Sequence, residues 1–418
     1  MLGLSLAACA TPGAESAVQP VAAWRPVDAS TGQIADVAGL EALAEAFPDS
    51  GSVRLRLLNA YLQAERPRDA LAEASALALD GYSFSPAASE LFASLPAEDL
   101  DTSWLGLGGP NGGAIESSRL LATVPAEARL VESVWRDADS GDLFVTTVVS
   151  RALFVSRGGA WEKLPIEGAG SLTGLAYDAT SGLLWVASGV VEQTPNPETA
   201  FSGLIAIDPR TGAVKRRVAG IVGSDPSDIA VDGEGRVFAS DPLSGALYVA
   251  QPTASVLQVF LAPGTLRSPQ GIAVLPGGRR LVVSDYRYGL ALVDTSTGAV
   301  GRLPTDGALS DGIDGLWLHG DRLIGVQNGS RPMRILELHL EGSGPKIGTV
   351  VNREAAHSAW TEPLGGSISK GELVYVANGQ WDRFEPGGAP VDGKPPLPTE
   401  IRALDLTARL FETPKNPG

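Results

Sequence analysis

Six residues stand at equivalent places in a repeated pattern, each just before a short apolar run: Glu132, Thr173, Ser227, Gln270, Asp314 and Gly365. Five of them carry side-chain oxygen, and Glu132 and Asp314 are carboxylates. Brought together on one axis, such a ring suits a hard cation such as Ca²⁺, which takes about six to eight oxygen ligands. Glu132, Asp314 and Ser227 are therefore candidate metal ligands, and Asp314 is also a candidate catalytic carboxylate. A second set, Asp241, Asp285, Asn328 and Asn378, follows the next strand of each repeat and falls on the same rim. Gln270, Asp285, Asn328 and Asn378 are candidate substrate contacts. An Asp after a strand also caps turns, so for Asp241 and Asp285 both readings stand open. His357, in the long segment 352–366, is a candidate base near neutral pH, with a solvated loop histidine as the alternative. Trp381 is a candidate stacking surface for a sugar ring, with packing between repeats as the alternative.

The elements that must position these residues are short strands. From about residue 116 helical periodicity is absent, and apolar runs alternate with Asp/Gly turns. The glycines of those turns, Gly141, Gly182, Gly235, Gly278, Gly320 and Gly371, lie 41, 53, 43, 42 and 51 residues apart. Periods of about 40 to 50 residues mark propeller blades. Six copies predict six blades over 116–418, with the strand Ile401 to Leu406 and a segment near Leu120 to Val124 closing the ring. In such a blade the first strand runs down the central channel and the second runs back, so the two sets of candidates share one rim. Two long proline-bearing connections, Gly189 to Ser202 and Gly379 to Glu400, must emerge there as well.

Before the strands the pattern is helical. Over 36–97, apolar residues recur at three- and four-residue steps from the N-cap Asp36 onward. Leu57-x3-Tyr61-x8-Ala70-x3-Ala74 resembles a tetratricopeptide repeat, with Arg54 and Leu58 at that repeat's usual tryptophan and glycine positions. A three- or four-helix cap is predicted, either packed on the propeller or offering a protein-binding groove. Residues 98–115 read as a linker and 10–35 as a flexible tether.

Composition narrows the partners. The 32 basic and 48 acidic side chains leave a net charge of −16, which works against binding nucleic acid through its phosphates. One cysteine and three histidines cannot build a Cys/His zinc cluster, so any metal is held mainly by oxygen. There is no Gly-x-Ser-x-Gly elbow and no phosphate-binding lysine loop. The single cysteine, Cys9, ends the run Leu6-Ala7-Ala8-Cys9. That run resembles the lipobox of bacterial lipoproteins. The resemblance implies that residues 1–9 end a signal segment and that a lipid on Cys9 is the sole membrane attachment. In a Gram-negative host, Ala10 rather than an aspartate after the cysteine points to the outer membrane, facing the periplasm.

Val131-Glu132-Ser133-Val134-Trp135, followed by Gly141-Asp142-Leu143-Phe144-Val145, is similar to the opening blade of the gluconolactonase/regucalcin family. Pro226-Ser227-Asp228-Ile229 and Pro269-Gln270-Gly271-Ile272 stand where that family has Pro-Asn-Gly or Pro-Asp-Gly, and Asp311-Gly-Ile-Asp314-Gly-Leu with Gln327-Asn328-Gly329 look like its fifth-blade motifs. The resemblance implies Ca²⁺ or another divalent ion in the funnel and a sugar lactone or ester as substrate. Only Glu132 carries over as a metal ligand. The family's asparagines are replaced by Ser227 and Thr173 and its aspartate by Gln270, which leaves Asp314 as the second ring carboxylate.

Three classes of function follow: a metal-dependent lactone or ester hydrolase, a non-catalytic envelope lipoprotein holding a glycan or a protein through its rim loops or helices, and a structural assembly factor. The lipobox carries its own test. Cys9→Ser in the full-length protein is expected to move it from the membrane to the soluble fraction, and retention of the variant at high salt would show that no lipid anchor is needed.

Overall fold

The structure is a computed structural model that describes residues 33–96, 113–305, 307–341 and 346–407. Cys9 and nearly all of the tether lie outside the described residues. No helix among the described residues is long and apolar enough to cross a membrane.

Among the described residues four helices come first: α1 (Val37–Ala46), α2 (Gly51–Gln63), α3 (Pro67–Leu79) and α4 (Pro86–Ser94). Their starts follow local chemistry. The side chains of Asp36, Ser50 and Ser85 accept the N–H of Gly39, Val53 and Ala88, and Pro67 and Pro86 occupy first-turn positions where no N–H is required. The apolar stripes, including Leu40, Leu43, Leu57, Tyr61, Ala70, Ala74 and Leu77, are buried together.

The described residues from Arg119 onward form six four-stranded antiparallel sheets, the predicted six-bladed propeller. Blade one runs from Val131–Arg136 at the channel through Leu143–Thr147 and Ala152–Arg157 to Ala160–Pro165 at the periphery, and the next four blades repeat this order. Blade six takes Gly366–Ser369, Glu372–Val376 and Thr399–Asp405 from the end of the chain. Its outer strand, Arg119–Val124, comes from before blade one and pairs with Thr399–Asp405, which closes the ring as expected. Apolar faces of adjacent blades pack into separate cores, for instance Trp185, Leu204 and Tyr248 between blades two and three and Val326, Ile335, Leu373 and Tyr375 between blades five and six.

The helices are not a free appendage. They share one core with the interface of blades three and four, where Phe47 meets Tyr288 at 4.7 Å between ring centres and Leu266 and Leu309 are covered. Polar contacts fix the angle. The buried Asp49 carboxylate accepts from the Arg302 guanidinium, the Thr305 N–H and the Ser310 hydroxyl. Asp311 of the propeller accepts the N–H groups of Gly51 and Ser52 at 2.8 and 2.7 Å, which places a carboxylate at the positive end of α2. Of the two arrangements open for the helices, the structure shows packing against the propeller.

Removing one partner of a buried ion pair strands the other, at a cost of about 3 to 5 kcal/mol. Asp49→Ala is expected to lower the urea midpoint substantially and to expose the α1–α2 connection to protease. An unchanged midpoint and digestion pattern would mean that the helices are held by apolar contact alone.

Candidate functional site

Residues of blades one, two, four and five reach the channel because the inner strand is interrupted where it enters. In blade one Val131 pairs with Thr147 and Val134 with Val145, so Glu132 and Ser133 face Thr146 alone. The same bulge sets Thr173-Gly174 against Ala187 and Gln270-Gly271 against Ser284, and makes Asp314 an extra residue in blade five. A bulge turns a side chain away from the alternation of the strand, and here it aims each one inward. The glycines that follow are required by crowding. A Cβ at Gly174 would lie 2.6 Å from the Ser227 carbonyl oxygen, and one at Gly271 would lie 2.4 Å from the Leu316 nitrogen. Gly174 N–H and Thr173 Oγ1 instead donate to the Ser227 carbonyl across the blade boundary at 2.8 and 2.7 Å.

Glu132, Thr173, Ser227, Gln270 and Asp314 therefore face one cavity of about 240 Å³, as their spacing requires. In blade six the corresponding residue is Leu364, which lines the cavity itself, whereas Gly365 lines the narrower space beneath. Pro363-Leu364-Gly365 aligns with Pro269-Gln270-Gly271, so the shift by one residue was visible in the sequence.

Four residues that the pattern did not single out as candidates complete the polar wall: Glu362, Tyr286, Asp225 and, lower in the channel, Asp228. The segment 352–366 does reach the funnel, but through Glu362. His357 is buried elsewhere: it stacks on Trp360, its Nδ1 accepts the Ala359 N–H, and its Nε2 lies 4.0 Å from Glu354. It does not line the funnel cavity, so the structure does not bring it to the other candidates.

Asn328 and Trp381 do line the cavity. Asn328 Oδ1 accepts from the Tyr286 hydroxyl at 2.7 Å and its amide donates to the Pro363 carbonyl. Trp381 rests on apolar neighbours and donates its indole N–H to Glu132 Oε2 at 3.1 Å. Its edge is thus engaged with the acid. Asp285 and Asn378 lie apart from the cavity lining. Asp285 accepts the backbone N–H of Arg267 and Arg287, and Asn378 bridges Glu400 and Pro398 across the base of a long loop. Asp241 likewise accepts from Asp225, Leu243 and Ser244, which is the turn-capping alternative.

The two proline-bearing connections meet at the rim. Gly387 N–H donates to the Glu192 carbonyl, Arg129 donates to the Gly388 carbonyl, and Phe384 packs on Val191, Val148 and Val149. Val191 and Trp381 from these two loops both border the cavity.

Among the described residues no Lys or Arg borders the cavity, and the electrostatics follow from that. Burial is the largest cause that raises the Asp314 pKa, to about 7, with Glu362 and Asp228 adding repulsion and the Asn328 amide opposing. Glu132 is raised well above the usual carboxylate range by burial and by Asp314 and Glu362, with the Trp381 N–H opposing. Burial also raises Glu362, and it lifts Asp228 to about 7 against two backbone N–H groups. Such a site attracts protons, a cation or an uncharged ligand, and repels anions.

In charge and donor chemistry the ring fits a hard divalent ion. Glu132 and Asp314, with the Gln270 amide and Ser227 hydroxyl oxygens, are the residues that would hold it. Among the described residues no three of His, Cys, Asp and Glu stand together as a metal cluster, so the neutral oxygens would have to complete the coordination.

No family model matches the sequence, and no curated protein does. Among solved structures, the chain is similar to a gluconolactonase from Xanthomonas campestris (15% identity, TM-score 0.45, 70% of this chain and 98% of that one). It is also similar to the PQQ-bound aldose sugar dehydrogenase from Streptomyces coelicolor (13%, 0.45, 69% and 98%) and to virginiamycin B lyase from Staphylococcus aureus (13%, 0.44, 62% and 81%). At these values any reading of function rests on the chain's own residues.

The raised Asp314 pKa fixes the sign of a stability effect. Below pH 4 the carboxyl is protonated in folded and unfolded chains alike and costs nothing. Between about pH 4 and 7 the unfolded chain ionises first, so stability falls as pH rises and the penalty is complete above 7. In metal-free buffer Asp314→Asn is expected to be near neutral at pH 4 and stabilising at pH 8, on the order of 3 kcal/mol. A thermal-melt series across this range that showed destabilisation at pH 8 would contradict the repulsion.

Proposed function

We propose that the funnel is the active site of a hydrolase acting on a small, uncharged ester or lactone. The observation that carries this reading is the convergence of Glu132, Asp314 and Glu362 on one cavity without a basic side chain in its lining. Three acids at this density are costly for a purely structural site, and they supply what ester hydrolysis needs: a proton acceptor for water and a proton donor for the leaving oxygen.

In this reading ionised Asp314 takes a proton from water as the water oxygen bonds to the ester carbonyl carbon. Gln270 lines the cavity and offers its amide N–H to the carbonyl oxygen as negative charge grows there. When the acyl–oxygen bond breaks, the leaving alkoxide recovers a proton from Asp314. Trp381 holds Glu132 in place through its indole N–H. A divalent cation such as Ca²⁺, held by Glu132, Asp314, Ser227 and Gln270, would offset the charge of the acids and polarise the carbonyl. Anionic substrates, such as phosphorylated sugars, are excluded by the same acids.

The finer parts of the reading belong to the same proposal: a lipid on Cys9 would set the propeller at a bacterial envelope membrane, with the funnel facing the periplasm. The alternative of a non-catalytic lipoprotein that holds a glycan or a protein through rim loops or helices predicts binding without turnover.

Hydrolysis of uncharged five- and six-membered lactones, followed by proton release, tests the proposal. Asp314→Asn is expected to lower kcat at least about 100-fold, within the range of general acid–base contributions, and chelation to lower turnover in the wild type. Wild-type protein that binds lactones and turns over none, with or without added Ca²⁺, would leave the binding alternative.

A further inference from the structure

The funnel wall is divided by blade. Blades four, five and six present Gln270, Tyr286, Asp314, Asn328 and Glu362 beside Leu364 and Trp381, while blades two and three present Gly189, Val191, Pro226, Pro242 and Leu243 above the ring. One acid, Asp225, also borders the cavity on that second side, and its Oδ1 accepts the Val190 N–H at 2.7 Å. Leu243 borders the cavity and yet is 67% exposed, so it forms the lip of the opening. Val222 is fully exposed, on the connection that also carries Pro226 to the cavity. An isolated exposed leucine needs no explanation. Here the exposed side chain continues an apolar half-wall that leads from the acidic floor to solvent.

We infer that the ligand of this funnel is amphipathic, with an uncharged ester or lactone head on the acidic floor and an aliphatic arm of several carbons laid over Val191, Pro226 and Pro242 and out across Leu243. The inference rests on the hydrolase reading for the nature of the head group alone. A hydroxyl-rich sugar lactone would leave this half-wall covered by nothing but water. An aliphatic arm removes its apolar surface from solvent, and each fully buried methylene contributes about 0.8 kcal/mol, or about fourfold in affinity. The arm lies on an open lip rather than in a closed slot, so about twofold to fourfold per methylene is expected over the first carbons.

The test uses uncleavable γ-lactams bearing straight alkyl substituents of one to eight carbons, titrated calorimetrically into the full-length protein. Affinity is expected to rise about twofold to fourfold per methylene over roughly the first four carbons and then to level off. Leu243→Ser, an exposed position whose change leaves the fold intact, is expected to flatten the rise while the methyl-substituted lactam binds as before. Affinity that does not depend on chain length, a slope unchanged by Leu243→Ser, or no binding by any member overturns the inference. The corresponding lactones report on the hydrolase reading separately. Length-dependent lactam binding without turnover of any lactone overturns that reading and leaves the arm standing. Turnover with kcat/KM independent of length overturns the arm alone.

Discussion

The constraint on which the site depends is the crowding of backbone around the propeller axis. Where inner strands of neighbouring blades meet, the gap admits no Cβ at Gly174 or Gly271, and main-chain groups bond directly from one blade to the next. A regular strand entering such a ring would point alternate side chains into its neighbour. The bulges at Glu132-Ser133, Thr173-Gly174 and Gln270-Gly271 absorb this conflict by placing a glycine or serine at the contact and turning the preceding side chain toward the axis. Fold and site are therefore one arrangement: the same extra residue that lets the blades close also aims the ring.

From this follows the concentration of acid. Residues aimed at an axis are brought close whatever their charge, and carboxylates gathered there cannot all ionise without a counter-charge. The surroundings moderate the repulsion without removing it. The Trp381 N–H meets Glu132, the Asn328 amide stands beside Asp314, and Tyr286 holds Asn328 in position. These partners come from connections on the funnel rim, and the long loop that carries Trp381 is itself anchored by Arg129 and Phe384. Loop and acid thus stabilise each other's positions.

The helices enter the same economy of contacts. Asp311, which receives the start of α2, is three residues before Asp314. Tyr288, which packs on Phe47, is two residues after Tyr286 of the cavity wall. The helical cap therefore buttresses the blade-four and blade-five segments that carry much of the polar wall of the funnel.

What the sequence determined by itself was everything that follows from period and local pairing. Glycines about 40 to 50 residues apart counted the blades, the apolar run near Leu120 marked the closing strand, and the short apolar run that opens each blade placed Glu132, Ser227, Gln270 and Asp314 on one ring. These are short-range signals repeated six times, and repetition makes a ring legible without coordinates. Tertiary structure alone decided what depends on the path of an irregular connection. It brought Glu362 rather than His357 to the funnel, turned the Trp381 indole onto Glu132, and set Asp285 and Asn378 to capping backbone, because long loops have no period and their direction is chosen by the distant surfaces on which they pack.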